Sequence, residues 1–431
     1  MRTSAQVRAR RLALVSMAAL GAVALSACGV VKAGAGGSPG AIASATASVS
    51  PAAASSGLAQ GGKPAASPPG TTGGAPGSPA ATATAAAAAA AAGGPVPAGF
   101  AATSVTFVSV SEAFVLGTAP CAHAPCTSIV RTLDRGTSWT GLPAPATPLG
   151  DPYDNTSQPA VWGIRFASPG QGFVFGNGLW TTTDGGEHWT AAVSPAGSIV
   201  DLEVIDGQLL ALTDDCTAQS GCAAAETLER RSLSGGPWSD VTAVSNARVI
   251  ATQARVAAVL DGSSVVVTGN GGLTSAARGT PCPDGSGSAG SAVAVTGPGS
   301  LALLCAGNAA MGSVQKTVYV SGDLGASWVK AGSPPFAGDP WGISGGTGAA
   351  PVVAAASGAS WLYYSPDGGA RWLTVFQAGD GGAGFNDPGF TTTADGVAVY
   401  GPVYRNDNPY ASPGKLLLTS DGGASWTAAK F

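Results

Sequence analysis

The sequence predicts an all-β chain, a seven-bladed β-propeller carried behind a low-complexity leader. Three observations predict it. One eight-residue pattern recurs five times in the last three-quarters of the 431 residues, and every copy ends in tryptophan. The copies, together with two degenerate ones, recur at the length of a four-stranded sheet. Short apolar, β-branched or aromatic runs stand in pairs ahead of them, and no stretch of that region sustains a helical period.

The five copies read Thr-Leu-Asp-Arg-Gly-Thr-Ser-Trp (132–139), Thr-Thr-Asp-Gly-Gly-Glu-His-Trp (182–189), Ser-Gly-Asp-Leu-Gly-Ala-Ser-Trp (321–328), Ser-Pro-Asp-Gly-Gly-Ala-Arg-Trp (365–372) and Thr-Ser-Asp-Gly-Gly-Ala-Ser-Trp (419–426). The general form is Ser/Thr-x-Asp-x-Gly-x-x-Trp. Each copy reads as a tight turn between two strands. The carboxylates of Asp134, Asp184, Asp323, Asp367 and Asp421 accept N–H groups of the turn that follows. The glycine two residues on takes a positive φ, and the leading hydroxyl adds a local bond. Trp139, Trp189, Trp328, Trp372 and Trp426 bring enough aromatic surface to seat one sheet on its neighbour. These aspartates therefore read as structural.

The pattern resembles the Asp-box, or BNR, repeat. The resemblance covers residues 100–431 and implies three kinds of propeller: sialidases, two-domain glucan hydrolases and assembly factors of photosystem II. It implies a fold and leaves activity open, because function lives in sites grafted on folds.

A gap of 139 residues separates Trp189 from Trp328. Ser232-Leu-Ser-Gly-Gly-Pro-Trp238 fills part of it as a copy that lacks the aspartate. Aligning Gly269-Asn-Gly-Gly-Leu273 with Gly176-Asn-Gly-Leu179 puts Pro283 where a further tryptophan would stand. The steps become 50, 49, 45, 45, 44 and 54 residues. Seven units result, with six or eight as alternatives. Strand pairs agree: Val105–Val108 with Ala113–Leu116, Ile164–Phe166 with Gly172–Phe175, then Leu209–Leu212, Ser264–Thr268, Leu301–Leu304 and Val397–Tyr400. The chain enters at an inner strand and leaves at an outer one, so no exchange of strands between the ends is foreseen.

Residues 1–28 read as a targeting segment. Arg2, Arg8, Arg10 and Arg11 precede an apolar core, Leu12–Leu25, of 14 residues, too short to span a bilayer. The following Leu25-Ser-Ala-Cys28-Gly resembles a bacterial lipobox, which implies lipidation of Cys28 and anchoring to the outer face of the plasma membrane. Residues 29–97 are almost wholly Ala, Gly, Ser, Pro and Thr, with Lys32 and Lys63 the only charges. Such a stretch cannot bury enough surface to offset its ordering entropy and is expected to be a disordered tether, roughly 45–50 Å in mean span. The propeller then occupies 98–431.

Seven cysteines divide into Cys28 and six others. Six allow fifteen pairings. Position favours Cys121–Cys126, Cys216–Cys222 and Cys282–Cys305, an oxidised set that suits an exported chain. The sequence has only two histidines, His123 and His188, so no metal set and no cofactor is expected. The net charge is −4, and about −8 once the four leader arginines are removed. No basic stripe is present, which argues against nucleic acid.

Function is expected in the long loops on the face opposite the repeated turns. The first is Pro143–Pro159, with Tyr153, Asp154 and Asn155. The second is Gln377–Pro388, with Asp380, Asn386 and Asp387. The third is Gly401–Tyr410, whose Tyr404, Arg405, Asp407 and Tyr410 could hold a sugar or a peptide by stacking and bidentate hydrogen bonds. A surface loop rich in turn formers is the plainer reading of the same stretch. Sialidases have a Phe-Arg-Ile-Pro motif, of which Ile164-Arg165-Phe166 is a distant echo, and no Tyr/Glu pairing stands out among the five glutamates of the repeat region. The expectation is a lipid-anchored, non-catalytic module binding a protein or glycan partner. The alternative is an extracellular glycoside hydrolase using loop carboxylates such as Asp154 and Asp387. Oligomeric state is left open.

Overall fold

The computed structural model describes residues 93–431 except 122–125, 151–159, 215–226, 242–243, 245–246, 254, 270–273, 284–290, 346–350, 382–383 and 402–413. All regular structure in the described residues is β. Twenty-eight strands form seven four-stranded antiparallel sheets, each built from consecutive strands. The first strands of the sheets are Ala101–Phe107, Val161–Phe166, Ser198–Ile205, Ala247–Gln253, Ala292–Gly297, Asp339–Ser344 and Phe385–Phe390. Each touches the first strand of the next sheet, and the seventh touches the first. That cycle of contacts makes the first strands innermost and the molecule a seven-bladed propeller.

Sequence dictates this packing through seven apolar clusters, one at each junction of neighbouring blades. Between blades 1 and 2, for example, Phe114, Leu116 and Ile129 meet Val161, Ile164, Phe166 and Val174. Phe114 and Phe166 stack there at 3.6 Å between centroids. Trp139, Trp189, Trp238, Trp328, Trp372 and Trp426 each lean onto the cluster that joins their own blade to the preceding one. Three of them also donate the indole N–H to that preceding blade or its exit: Trp189 to Pro143 O, Trp238 to Val193 O and Trp328 to Gly279 O. The tryptophan is thus a seat between sheets as well as a turn residue.

The repeated turns have the bonding their composition requires. In all five the leading hydroxyl donates to Oδ1 of the aspartate and accepts the N–H of the glycine four residues after it. Oδ1 also accepts the N–H four residues beyond the aspartate, at 2.7–3.0 Å. Two consecutive residues adopt positive φ in each turn. Glycine fills both places in three turns, but Arg135 (φ 63°) and Leu324 (φ 56°) take the first place in the other two. Leu324 is repaid by packing between blades 4 and 5. Arg135 is 63% exposed at its side chain and only 3.7 Å from Asp395, a pair worth little. Arg135→Gly is therefore expected to stabilise the chain by about 0.5–1 kcal/mol, read as a raised denaturant midpoint with unchanged slope.

Blade 4 departs from the sequence expectation. Its third and fourth strands are Ser264–Gly269 and Thr274–Gly279, so Gly269-Asn-Gly-Gly-Leu273 follows the third strand, whereas Gly176-Asn-Gly-Leu179 precedes the third strand of blade 2 (Leu179–Thr182). Pro283 lies beyond the fourth strand and does not stand in for a tryptophan. The alignment on Leu273 displaced the unit by one strand. Consistently, the cluster between blades 3 and 4 is the one without a tryptophan. The count of seven is unaffected.

Closure of the ring has several parts. Ala102 N donates to Gly414 O at 3.1 Å across the junction of blades 7 and 1. Gly94 pairs with Gly141 on the outer strand of blade 1 (Thr140–Leu142), covering that edge with chain that precedes the first blade. Phe431 returns to the same place, 4.8 Å from Phe100 and 5.0 Å from Trp139. Each blade keeps its own four strands, as the sequence implied.

Two of the expected disulfides are present. Cys121–Cys126 closes the strand 2–3 connection of blade 1, and Cys282–Cys305 ties the exit of blade 4 to the second strand of blade 5 (Ser300–Ala310). Cys305 lies within that strand and not after it. Cys216 and Cys222 lie outside the described residues.

Candidate functional site

Each innermost strand carries a one-residue bulge against its neighbour. Bulges bend a strand and re-aim its side chains. The bulge in blade 7 contains Asp387, which takes φ 45°. The expected loop Gln377–Pro388 is instead mostly strand: Leu373–Gly381 ends blade 6, and Phe385–Phe390 begins blade 7. Asp387 is therefore an inner-strand residue, not a loop residue. Its carboxylate reaches into blade 1, where Oδ2 accepts Ser104 Oγ–H at 2.6 Å and Val105 N–H at 2.9 Å. Its Oδ1 lies 2.9 Å from Arg165 Nη2 of blade 2.

Arg165 is the hub. Nε donates to Glu203 Oε1 at 3.1 Å, and Nη2 reaches Asp201 Oδ1 at 3.3 Å as well as Asp387. Nη1 donates to Ile164 O at 2.9 Å and approaches Ser104 Oγ at 3.5 Å. The five N–H groups of the guanidinium are thereby engaged. Glu203 continues the chain by accepting Thr252 Oγ1–H at 2.8 Å from blade 4. One polar network thus links the inner strands of blades 7, 1, 2, 3 and 4.

Its charges do not balance. One guanidinium, 13% exposed at its side chain, faces three carboxylates. Burial alone would loosen the Arg165 proton, but Asp387, Glu203 and Asp201 outweigh it and raise the pKa. Asp201 carries the excess: burial first, then the neighbouring Glu203 and Asp387 charges, push its carboxyl up to about 7 against the pull of Arg165. Asp201 is therefore the carboxyl of the network that takes up a proton more readily than a free aspartate.

Sequence reasoning singled out Asp387 and quoted Arg165 only within a motif echo. It missed Ser104, Asp201, Glu203 and Thr252. The signal available was a polar or charged residue inside the first apolar run of successive repeats, where the inner strand of a propeller lines its axis. Tyr153, Asp154, Tyr404, Arg405, Asp407 and Tyr410 lie outside the described residues.

Two other features were not foreseen. A groove of about 380 Å³ opens between blades 7 and 1, lined among others by Phe107, Arg135, Asp395 and Leu418. On the surface, Asp184, Glu187 and His188 bring possible ligand atoms within 4.8 Å of one another. His188 Nδ1 sits 2.8 Å from Asp184 Oδ2, the place a serine hydroxyl takes at Asp134, Asp323 and Asp421. That contact completes the turn.

No protein-family model matches this sequence, and none of the curated proteins matches it. Comparison with solved structures returns low-identity likenesses. A structure described as YCF48 bound to D1 peptide is 14% identical over 77% of this chain and 93% of its own, with a TM-score of 0.47. YCF48 from Cyanidioschyzon merolae is 13% identical over 78% and 88%, with a TM-score of 0.34. A GH74 xyloglucanase from Xanthomonas campestris is 14% identical over 76% and 72%, with a TM-score of 0.30. Likeness at this level transfers no role. The seven-bladed assignment rests on strand order and blade contacts.

Proposed function

We propose that this chain is an exported lipoprotein whose Asp-box propeller acts as a non-catalytic binding or assembly module for a protein or glycan. Cys28 anchors it to the outer face of the bacterial plasma membrane, and residues 29–97 tether the propeller above it. One observation carries the non-catalytic reading. The inner-channel arginine is consumed by the chain's own carboxylates, Asp201, Glu203 and Asp387. A hydrolase of acidic sugars needs its arginines open to the substrate. The two disulfides support an oxidising compartment. Ligand contact is assigned to the loops holding Tyr153, Asp154, Tyr404, Arg405, Asp407 and Tyr410.

The test uses the full chain in a bacterial host. Cys28→Ser is expected to move the protein from the membrane to the soluble fraction. Cross-linked pull-down from solubilised membranes, run beside a glycan array, is expected to recover a ligand. Arg405→Ala combined with Tyr404→Ala should weaken that binding at least about tenfold, as loss of paired hot-spot residues does. Blank results in both the pull-down and the array end the proposal.

A glycoside hydrolase is the second reading, favoured by one observation: the Asp201 carboxyl, pushed up to about 7, stands with Glu203 and Asp387 around Arg165. It requires turnover of sialyl or glucosyl chromogenic substrates that Asp201→Asn, Asp154→Asn or Asp387→Asn abolishes. No turnover by the unmodified chain removes it.

A further inference from the structure

Lys316 breaks the rule that ammonium groups stay in water. It is 1% exposed, on the third strand of blade 5 (Ser313–Ser321). Its Nζ donates to four backbone carbonyl oxygens: Val314 at 2.9 Å, Phe336 at 3.0 Å, Ala337 at 3.1 Å and Gly338 at 2.6 Å. An ammonium has three N–H groups for these four acceptors. The cage therefore suits a compact positive charge better than three directed bonds. Carbonyl oxygens converging on one point are also how proteins replace the hydration shell of a hard cation.

The cage is built at a chosen place. Phe336, Ala337 and Gly338 belong to the connection between the outer strand of blade 5 (Val329–Gly332) and the inner strand of blade 6 (Asp339–Ser344). Tyr363 OH donates to Ala337 O at 3.0 Å, and Gly338 N donates to Ser313 Oγ at 3.3 Å. The connection is fixed from both blades, with Phe336 left 49% exposed. Burial pushes the Lys316 amine down to about 8, with Asp339 pulling it back, so it stays an ammonium at neutral pH. A buried charge is tolerable only where dipoles replace its water. The four carbonyls do this.

We propose that these four carbonyls form a cation site whose resident ion is the chain's own Lys316, and that the site emptied of the amine takes up a primary ammonium or an alkali cation. The site fixes the connection between blades 5 and 6, a role separate from any ligand bound by the propeller.

Lys316→Ala removes the atoms of propylammonium and tests the idea in the full chain. The variant is expected to melt about 4–8 °C below the unmodified protein. Propylammonium chloride or potassium chloride should restore at least half of that loss in a saturable way. Tetramethylammonium chloride at equal ionic strength, a cation without N–H groups and too large for the cage, should not. Lys316→Met, which fills the space without charge, should melt low and respond to neither salt. Unchanged melting of both variants overturns the proposal, as does rescue by tetramethylammonium equal to that by propylammonium. Should the alanine variant fail to fold, the unmodified protein decides. A slowly exchanging ¹⁵NH₃⁺ resonance of Lys316 at neutral pH, coupled across hydrogen bonds to the carbonyl carbons, is expected. A neutral or freely exchanging amine overturns the idea.

Discussion

Replacing Arg165 by methionine is expected to lower the melting temperature near neutral pH by about 6–12 °C, from a loss of roughly 3–5 kcal/mol. The reason lies in what is left behind. Methionine has similar volume and lies comfortably beside Phe175, whose ring the guanidinium now faces at 5.8 Å. Asp201, Glu203 and Asp387 would then face one another without the cation that joins them. Two of the three come from blade 3 and the third from blade 7, so the damage falls on both sides of the ring closure. Arg165→Lys keeps the charge but cannot reproduce the five-donor fork, and should fall between the two. Calorimetry of the three proteins checks the order. Equal melting of methionine and arginine forms would mean that the network ties nothing together. Adding Asp387→Asn and Glu203→Gln to the methionine variant should recover part of the loss, because fewer unpaired charges remain.

The architecture was legible because its determinants are local. Thr182, Asp184, Gly186 and Trp189 lie within eight residues, and their bonds are set by that spacing alone. The same holds for the other four turns, so five blades are marked directly, and the near-constant spacing supplied the other two. Blade 4 was misplaced where local chemistry is missing: without aspartate or tryptophan, Gly269–Leu273 was equated with a segment one strand earlier. The inner network was not legible. Arg165 meets Asp201, Glu203 and Asp387 at sequence separations of 36, 38 and 222 residues. No local rule couples such positions; only closure of the ring does. Asp387 falls in the stretch Gln377–Pro388 that reads as an inter-blade loop, because a bulged inner strand with Asn386, Asp387, Pro388 and Gly389 has the composition of a turn. Lys316 had no sequence signature either, since its partners are carbonyl oxygens that any residue supplies.

Asp201→Asn is expected to act in the opposite sense to Arg165→Met, stabilising the propeller by roughly 2–3 kcal/mol at pH 8 and hardly at all at pH 4. The sign follows from linkage. Burial, Glu203 and Asp387 raise the folded Asp201 carboxyl to about 7, whereas the unfolded chain ionises it near its ordinary value of 3.8. Between those values the unfolded chain binds fewer protons, so stability falls as pH rises through the window and levels off above it. Asparagine keeps the hydrogen-bonding shape without a charge and removes the decline. The acid arm should survive in the variant, because it belongs to the turns. Hydrogen bonds from Ser327 hold Asp323 at about 2, and at Asp184 the His188 amide and the Thr182 hydroxyl outweigh burial to the same value. Those carboxylates contribute stability above their ordinary range and lose it as pH falls toward 2. The unmodified chain should therefore be most stable near pH 4–5, and the variant should hold a plateau from there to pH 8. Denaturant midpoints measured across that range separate the two curves. Parallel curves would show that Asp201 is already ionised at no cost beside Arg165.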